Sequence, residues 1–140
     1  MKWPEVELGE IAANNVSTVD PRNAPDTVFD LLSIPAYDNG IPDRVMGRDI
    51  GSAKKRVEPQ DVLLSRIVPH IRRAWVVPAG LNDQPIASGE WIVFRSDKFV
   101  PEFLRWLLVS DRFHSSFMRT VSGVGGSLLR ARPKEVFKIR

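Results

Sequence analysis

The chain has 140 residues, a formal net charge of +3 and no cysteine. Its 43% hydrophobic and 26% charged residues exclude a disordered or fibrous chain, and without cysteine there is no disulfide framework and no thiolate metal site. No apolar run reaches the roughly 18 residues of a membrane span, and the opening "MKWPEVELGE" lacks the apolar centre of a signal peptide, so a single cytoplasmic domain over residues 1–140 is expected.

In chain order, Trp3 to Ile11 reads as a short ordered lead-in with Val6, Leu8 and Ile11 set between acids. Residues 20–27, "DPRNAPDT", form a turn in which Pro21 and Pro25 block regular structure. Val28 to Ile34 reads as a strand ended by Pro35, and residues 38–52, with three glycines and a proline, as an exposed loop. A brief extended piece at Lys54–Val57 precedes the turn "EPQD". Val62–Ile67, Ala74–Val77 and Trp91–Phe94 are apolar runs of strand length, with the turn "PAGLND" after the second.

From Pro101 to Val121 the period changes. Phe103, Trp106, Leu107, Phe113, Phe117 and Val121 recur close to every 3.6 residues, Pro101 suits a first helical turn and Gly123 suits the position after the last. One helix of about 30 Å is expected, at about 1.5 Å per residue. Its aromatic and leucine face is read as core, and Arg105, Arg112 and Arg119 share one side of it at seven-residue spacing. "SGVGGS" reads as the turn beyond, followed by a short terminal segment. The fold class expected is mixed α/β (α+β): a twisted, mostly antiparallel sheet or partly barrel-like strands, with one long helix packed on it.

No catalytic constellation emerges. His70 and His114 stand 44 positions apart with no cysteine or second histidine nearby, so a zinc site is not expected. The acids miss the spacing of a Mg²⁺ nuclease, and there is no Gly-x-Ser-x-Gly elbow. "GVGGS" follows a helix, whereas a nucleotide loop follows a strand. No cofactor is expected.

Charge distribution is more informative. Residues 1–40 hold two cations against seven acids; residues 41–75 hold eight against four, and the remainder ten against six. A basic middle and end suit a polyanionic partner, although unevenly solvated surface charge is the alternative. Between two apolar runs stand Arg66, His70, Arg72 and Arg73, and just upstream Lys54, Lys55 and Arg56. Arginine and lysine neutralise phosphates, and a guanidinium can pair with both major-groove acceptors of guanine. These seven residues are the candidate DNA contacts, and Asn39, Asn82 and Gln84 are side chains able to read adenine edges or to serve merely as turn residues. A small hydrolase or nuclease with an unrecognised site, and a protein-interaction module, remain as alternatives.

Taken in order, the segments resemble a target-recognition domain of the specificity subunit of type I restriction–modification enzymes. "WPEVELGEI" is similar to the family's opening, "SIPAYDNGI" to its next strand and loop, and "KKRVEPQDVLLSRIVPHIRRAWVV" to its lysine-bearing segment, turn and two strands. "FVPEFLRWLLVSDRFHSSFMRTVSGVGGSLL" resembles its proline-started helix and the exit to glycine. Two departures stand out: Gln60 occupies the turn where glycine is usual, so a positive φ is not expected there, and the sequence stops at "PKEVFKIR", short of the family's spacer helix. The resemblance implies a non-catalytic module that reads one half of a bipartite site in double-stranded DNA. It implies as partners a second recognition domain and separate methyltransferase and restriction subunits.

Overall fold

The structure is a computed structural model that describes residues 11–13, 16–68, 70–81, 84–95, 99–122 and 130–131. The strands are β1 (Thr18–Val19), β2 (Val28–Leu32), β3 (Asp43–Met46), β4 (Lys54–Arg56), β5 (Val62–Ser65), β6 (Ala74–Val76), β7 (Gln84–Ala87), β8 (Trp91–Phe94), β9 (Val121–Ser122) and β10 (Arg130–Ala131). The helices are α1 (Ile34–Asn39), α2 (Pro101–Leu108) and α3 (Asp111–Met118), with 3-10 turns at Pro21–Asn23 and Gly47–Asp49.

Three layers follow from side-chain alternation in the central strands. Strands β6, β5 and β8 form an antiparallel sheet in that order. Val62 and Leu64, with Ile92, Phe94, Ala74 and Val76, pack on Leu104 and Leu108 of α2 and Phe113 and Phe117 of α3. The intervening residues Leu63, Trp91 and Val93 point the other way, towards Leu32, Val57 and Ala87 of the five-stranded sheet β1-β4-β7-β2-β3. Period-two geometry thus makes both faces of β5 and β8 core, which is why they read as unbroken apolar runs. The far face of the larger sheet buries Phe29 and Ile86 under Ile50. Its neighbours pair antiparallel except β2 and β7, which run parallel with Asp30 opposite Pro85. The expected mixed class with mostly antiparallel strands holds.

Several boundaries differ from expectation, each for a local reason. The expected single helix is two. Ser110 interrupts it by accepting a hydrogen bond from the Phe113 backbone N–H at 3.3 Å, while its own hydroxyl donates to Leu107 O at 2.6 Å. A serine that caps a new N-terminus ends the old helix, and each short helix then presents its own pair of apolar residues to the sheet. Arg105, Arg112 and Arg119 consequently do not line one helix. Phe103 and Trp106, expected in the core, are 54% and 62% exposed on the outer side of α2. Replacing Ser110 with alanine is expected to cost about 1 kcal/mol, read as a lower urea midpoint with an unchanged slope.

The loop expected over 38–52 is largely ordered. Ser33 accepts from the Ala36 N–H at 3.0 Å and so starts α1, with Pro35 inside the first turn where its missing N–H costs nothing. Pro35 therefore opens a helix as well as ending β2. Gly40 closes α1 at φ +86°, donating to Ala36 O and Tyr37 O. Gly47 sits so close to the 3-10 turn at Pro21–Asn23 that a Cβ there would lie 2.3 Å from Pro21 O.

The turn "EPQD" also departs from expectation: Gln60 does adopt a positive φ, +73°. Its N–H bonds Val77 O at 2.9 Å, which ties the turn to the strand beside it and holds the strained conformation. Gln60→Gly is expected to raise stability by about 0.5 kcal/mol, the left-handed penalty relieved less the entropy glycine adds to the unfolded chain; a thermal melt reads it. The lead-in before Ile11, the glycine-rich turn after Ser122 and the terminal segment except Arg130–Ala131 lie outside the described residues.

Candidate nucleic-acid interface

Strand β4 places its three cations on two faces. Lys54 and Arg56 lie on the outer side of the larger sheet, and Lys55, one residue out of phase, turns towards the smaller one. Lys54 donates to Ser52 Oγ at 2.8 Å, and Arg56 Nη1 reaches Gln84 Oε1 at 3.4 Å. Gln84, a candidate reader of base edges, belongs to β7, beside β4. Arg56, Gln84 and Glu58 line an open cleft of about 510 Å³ together with Arg95, a residue outside the set of cations expected to meet DNA.

Arg95 is anchored by its neighbours. Its guanidinium makes two 2.8 Å bonds to the carboxylate of Asp61, which is 2% exposed and also accepts from the Glu58 N–H at 2.8 Å. The hydrogen bond to Asp61 raises the Arg95 pKa above its ordinary value, burial opposing it and the charges of Asp61 and Glu58 adding to it. The turn that carries Gln60 is thereby bolted to the end of β8. No signal in the sequence marks Arg95, because its role depends on an acid 34 positions away.

Lys55 points into a second, smaller hollow, and Arg66, half-buried after β5, lines it too. The Lys55 ammonium donates to Trp91 O at 2.7 Å. Burial lowers the Lys55 pKa, the positive charge of Arg66 lowers it further and Glu90 opposes both.

After β5 the chain leaves the sheet at Arg66, and Arg73 rejoins it. Val68 between them has φ +46°, a strained value for a β-branched residue that costs on the order of 1–3 kcal/mol. His70 and Ile71 are exposed at the tip. Arg72 bonds Asp111 Oδ1 at 2.6 Å and Val109 O at 3.2 Å, so it clasps the α2–α3 junction. His114 lies nearby on α3, its pKa lowered first by burial and then by the charge of Arg72, with Asp111 opposing.

Arg73 is the departure from expectation. Expected among the solvent-facing cations, it is 9% exposed and binds Asp38 of α1 through two bonds of 3.0 and 3.1 Å. The reason is its place in the ladder: its carbonyl already accepts from Ser65 N–H at 3.1 Å, so the residue is part of the sheet and its side chain is turned under α1. Six of the seven candidates therefore form three exposed or half-exposed groups, with Lys55 and Arg66 together, Lys54 and Arg56 beyond them, and His70 with Arg72 at the helices. Arg73 is a structural cation.

Among the described residues no three histidine or acidic side chains gather as a metal site would need, and no helix is long and apolar enough to cross a membrane.

No family model matches the sequence, and no curated protein matches it. Solved structures do. The crystal structure of an HsdS subunit from Thermoanaerobacter tengcongensis superposes with a TM-score of 0.76 at 26% identity, covering 95% of this chain and 35% of that one. A chain from work on complex assembly and conformational transition of the type I R-M system gives 0.73 at 28% identity with the same coverages. This chain thus spans about a third of the length of the proteins it resembles. The likeness that the order of sequence segments implied, to a target-recognition domain of a type I restriction–modification specificity subunit, is borne out by the fold.

Proposed function

We propose that this chain is a DNA-reading module of a type I restriction–modification specificity subunit, recognising one half of a bipartite site. The observation that carries the reading is the shared fold over 95% of the chain with an HsdS subunit. The cations on β4, at Arg66 and at the His70–Arg72 tip supply the electrostatic attraction to a duplex, and Arg56 with Gln84 offers two side chains able to pair with base edges. The module catalyses nothing itself; it works in the cytoplasm by directing methyltransferase and restriction subunits to a site, with a second recognition domain reading the other half.

Fluorescence anisotropy on a randomised duplex pool, in EDTA and at two salt concentrations, with sequencing of the retained DNA, tests this. The expected result is enrichment of a short motif and affinity that falls as salt rises. Binding or cleavage that requires Mg²⁺ would refute it in favour of a nuclease.

One observation favours a second reading, a protein-interaction module. Val100, Phe103 and Trp106 expose an apolar ridge along α2 with the two aromatic rings 6.3 Å apart. Weak, unselective DNA binding in the same assay would support it.

A further inference from the structure

The hollow that Lys55 and Arg66 share measures about 190 Å³ and opens between the edge of the larger sheet and the smaller one, beside Val16 and Gly89. That is room for about six waters at about 30 Å³ each, and so for a tetrahedral group of one phosphorus and four oxygens. An ammonium has three N–H donors, of which Lys55 uses one on Trp91 O at 2.7 Å. Two remain for a ligand among the described residues. Arg66 is held in place by its backbone, which donates to Glu90 O at 2.9 Å.

We propose that this hollow binds one singly charged oxyanion, a phosphodiester of the DNA backbone. The inference rests on the DNA-reading function and deepens it by separating a phosphate anchor from the base-reading residues. Lys55 is partly stripped of water there, and the positive charge of Arg66 beside it adds to that cost. An anion between them relieves both penalties. Lys55 and Arg66 line the hollow and Glu90, which does not line it, acts on Lys55 with the opposite charge; one net positive charge suits a phosphodiester better than a doubly charged phosphate monoester. A backbone contact carries no base information. Its effect is to fix where the domain sits on the duplex, so that Lys54, Arg56 and Gln84, on the other face of the sheet or its edge, meet a defined stretch of groove or backbone.

The test is a salt titration of binding to one fixed duplex by the 140-residue chain and its Lys55→Met, Lys55→Arg and Arg66→Gln variants, with the randomised-pool selection repeated on Lys55→Met. Losing one phosphate contact lowers the slope of log K against log salt by about 0.9. That change in Lys55→Met, with the selected motif unaltered and the slope kept in Lys55→Arg, is the expected result. An unchanged slope in Lys55→Met beside a salt-dependent wild type would overturn the anchor and leave the DNA reading intact. A wild type whose binding ignores salt would overturn both. Should Lys55→Met melt below the assay temperature, Arg66→Gln takes its place: a slope lowered by the same amount supports the anchor, and an unchanged slope overturns it.

Discussion

Asp61→Ala is expected to lower stability by about 3 kcal/mol, near the lower end of what breaking a buried ion pair costs. Asp61 is almost wholly buried and fills three acceptor roles, two towards Arg95 and one towards the Glu58 N–H. Removing the carboxylate strands the Glu58 amide and leaves the Arg95 guanidinium only the more exposed Glu58 carboxylate, 3.4 Å away, as a counter-charge. Arg95 is about a third exposed, at 36%, so water recovers part of its loss, and the upper end of the range does not apply. For a chain of this size the melting temperature should fall by roughly 10 °C, at about 3–4 °C per kcal/mol. Asn at the same position keeps an acceptor for the Glu58 N–H and should recover part of the deficit. A drop of less than a few degrees in Asp61→Ala would show that the turn is held by its backbone bonds to Val77 alone.

The second large effect is an asymmetry between Arg73 and Asp38. Asp38→Ala leaves the buried guanidinium of Arg73 without a counter-charge, whereas Arg73→Met removes that charge and leaves Asp38, which is 53% exposed, to water. A methionine of similar volume in place of a buried cation is often close to neutral. Arg73 Nη1 has no hydrogen-bond partner among the described residues, which lowers the cost of losing it further. Asp38→Ala should therefore drop the melting temperature by several degrees more than Arg73→Met. Neither change should alter the salt slope of DNA binding. The pH dependence has a definite sign. The hydrogen bond from Arg73 lowers the Asp38 pKa, burial opposing it, so its stabilisation is present above the unfolded value of about 3.9 and is lost as pH falls through the folded value. Acid melts of wild type and Asp38→Ala should begin to approach each other below about pH 4 and converge only once the pH has fallen below the folded value. Equal melting temperatures for the two variants near pH 7 would refute the asymmetry.

The sequence showed strands best where both faces are buried. β5, β6 and β8 appear in it as apolar runs within two residues of their observed limits. β7 escaped because its four residues, "QPIA", contain a proline, an unusual residue for a strand with neighbours on both sides. Pro85 is tolerated there as the second residue of the strand, where its carbonyl still accepts a long bond of 3.4 Å from Val57 N–H. The break between α2 and α3 was hidden by the opposite effect: apolar spacing continues across Val109 and Ser110, and only the capping chemistry of Ser110 reveals a second start. For the candidate interface, residue type was readable and direction was not. Lys55 differs from Lys54 and Arg56 by one step of strand phase, and Arg73 differs from Arg72 by the onset of a ladder. Those single-residue shifts decide which cations meet solvent, and composition carries no trace of them.

The parallel pairing of β2 with β7 has a consequence for how the chain is made. β3, the antiparallel neighbour of β2, follows it within a dozen or so residues, so one side of β2 can be satisfied early in synthesis. Its other side waits for Gln84–Ala87 to emerge, more than fifty residues later. During that interval Phe29 and Leu32 border an open edge of unpaired backbone groups, the kind of surface that joins neighbouring chains. Production of the chain at low temperature or with holdase chaperones should accordingly improve yield far more than stabilising the finished fold would.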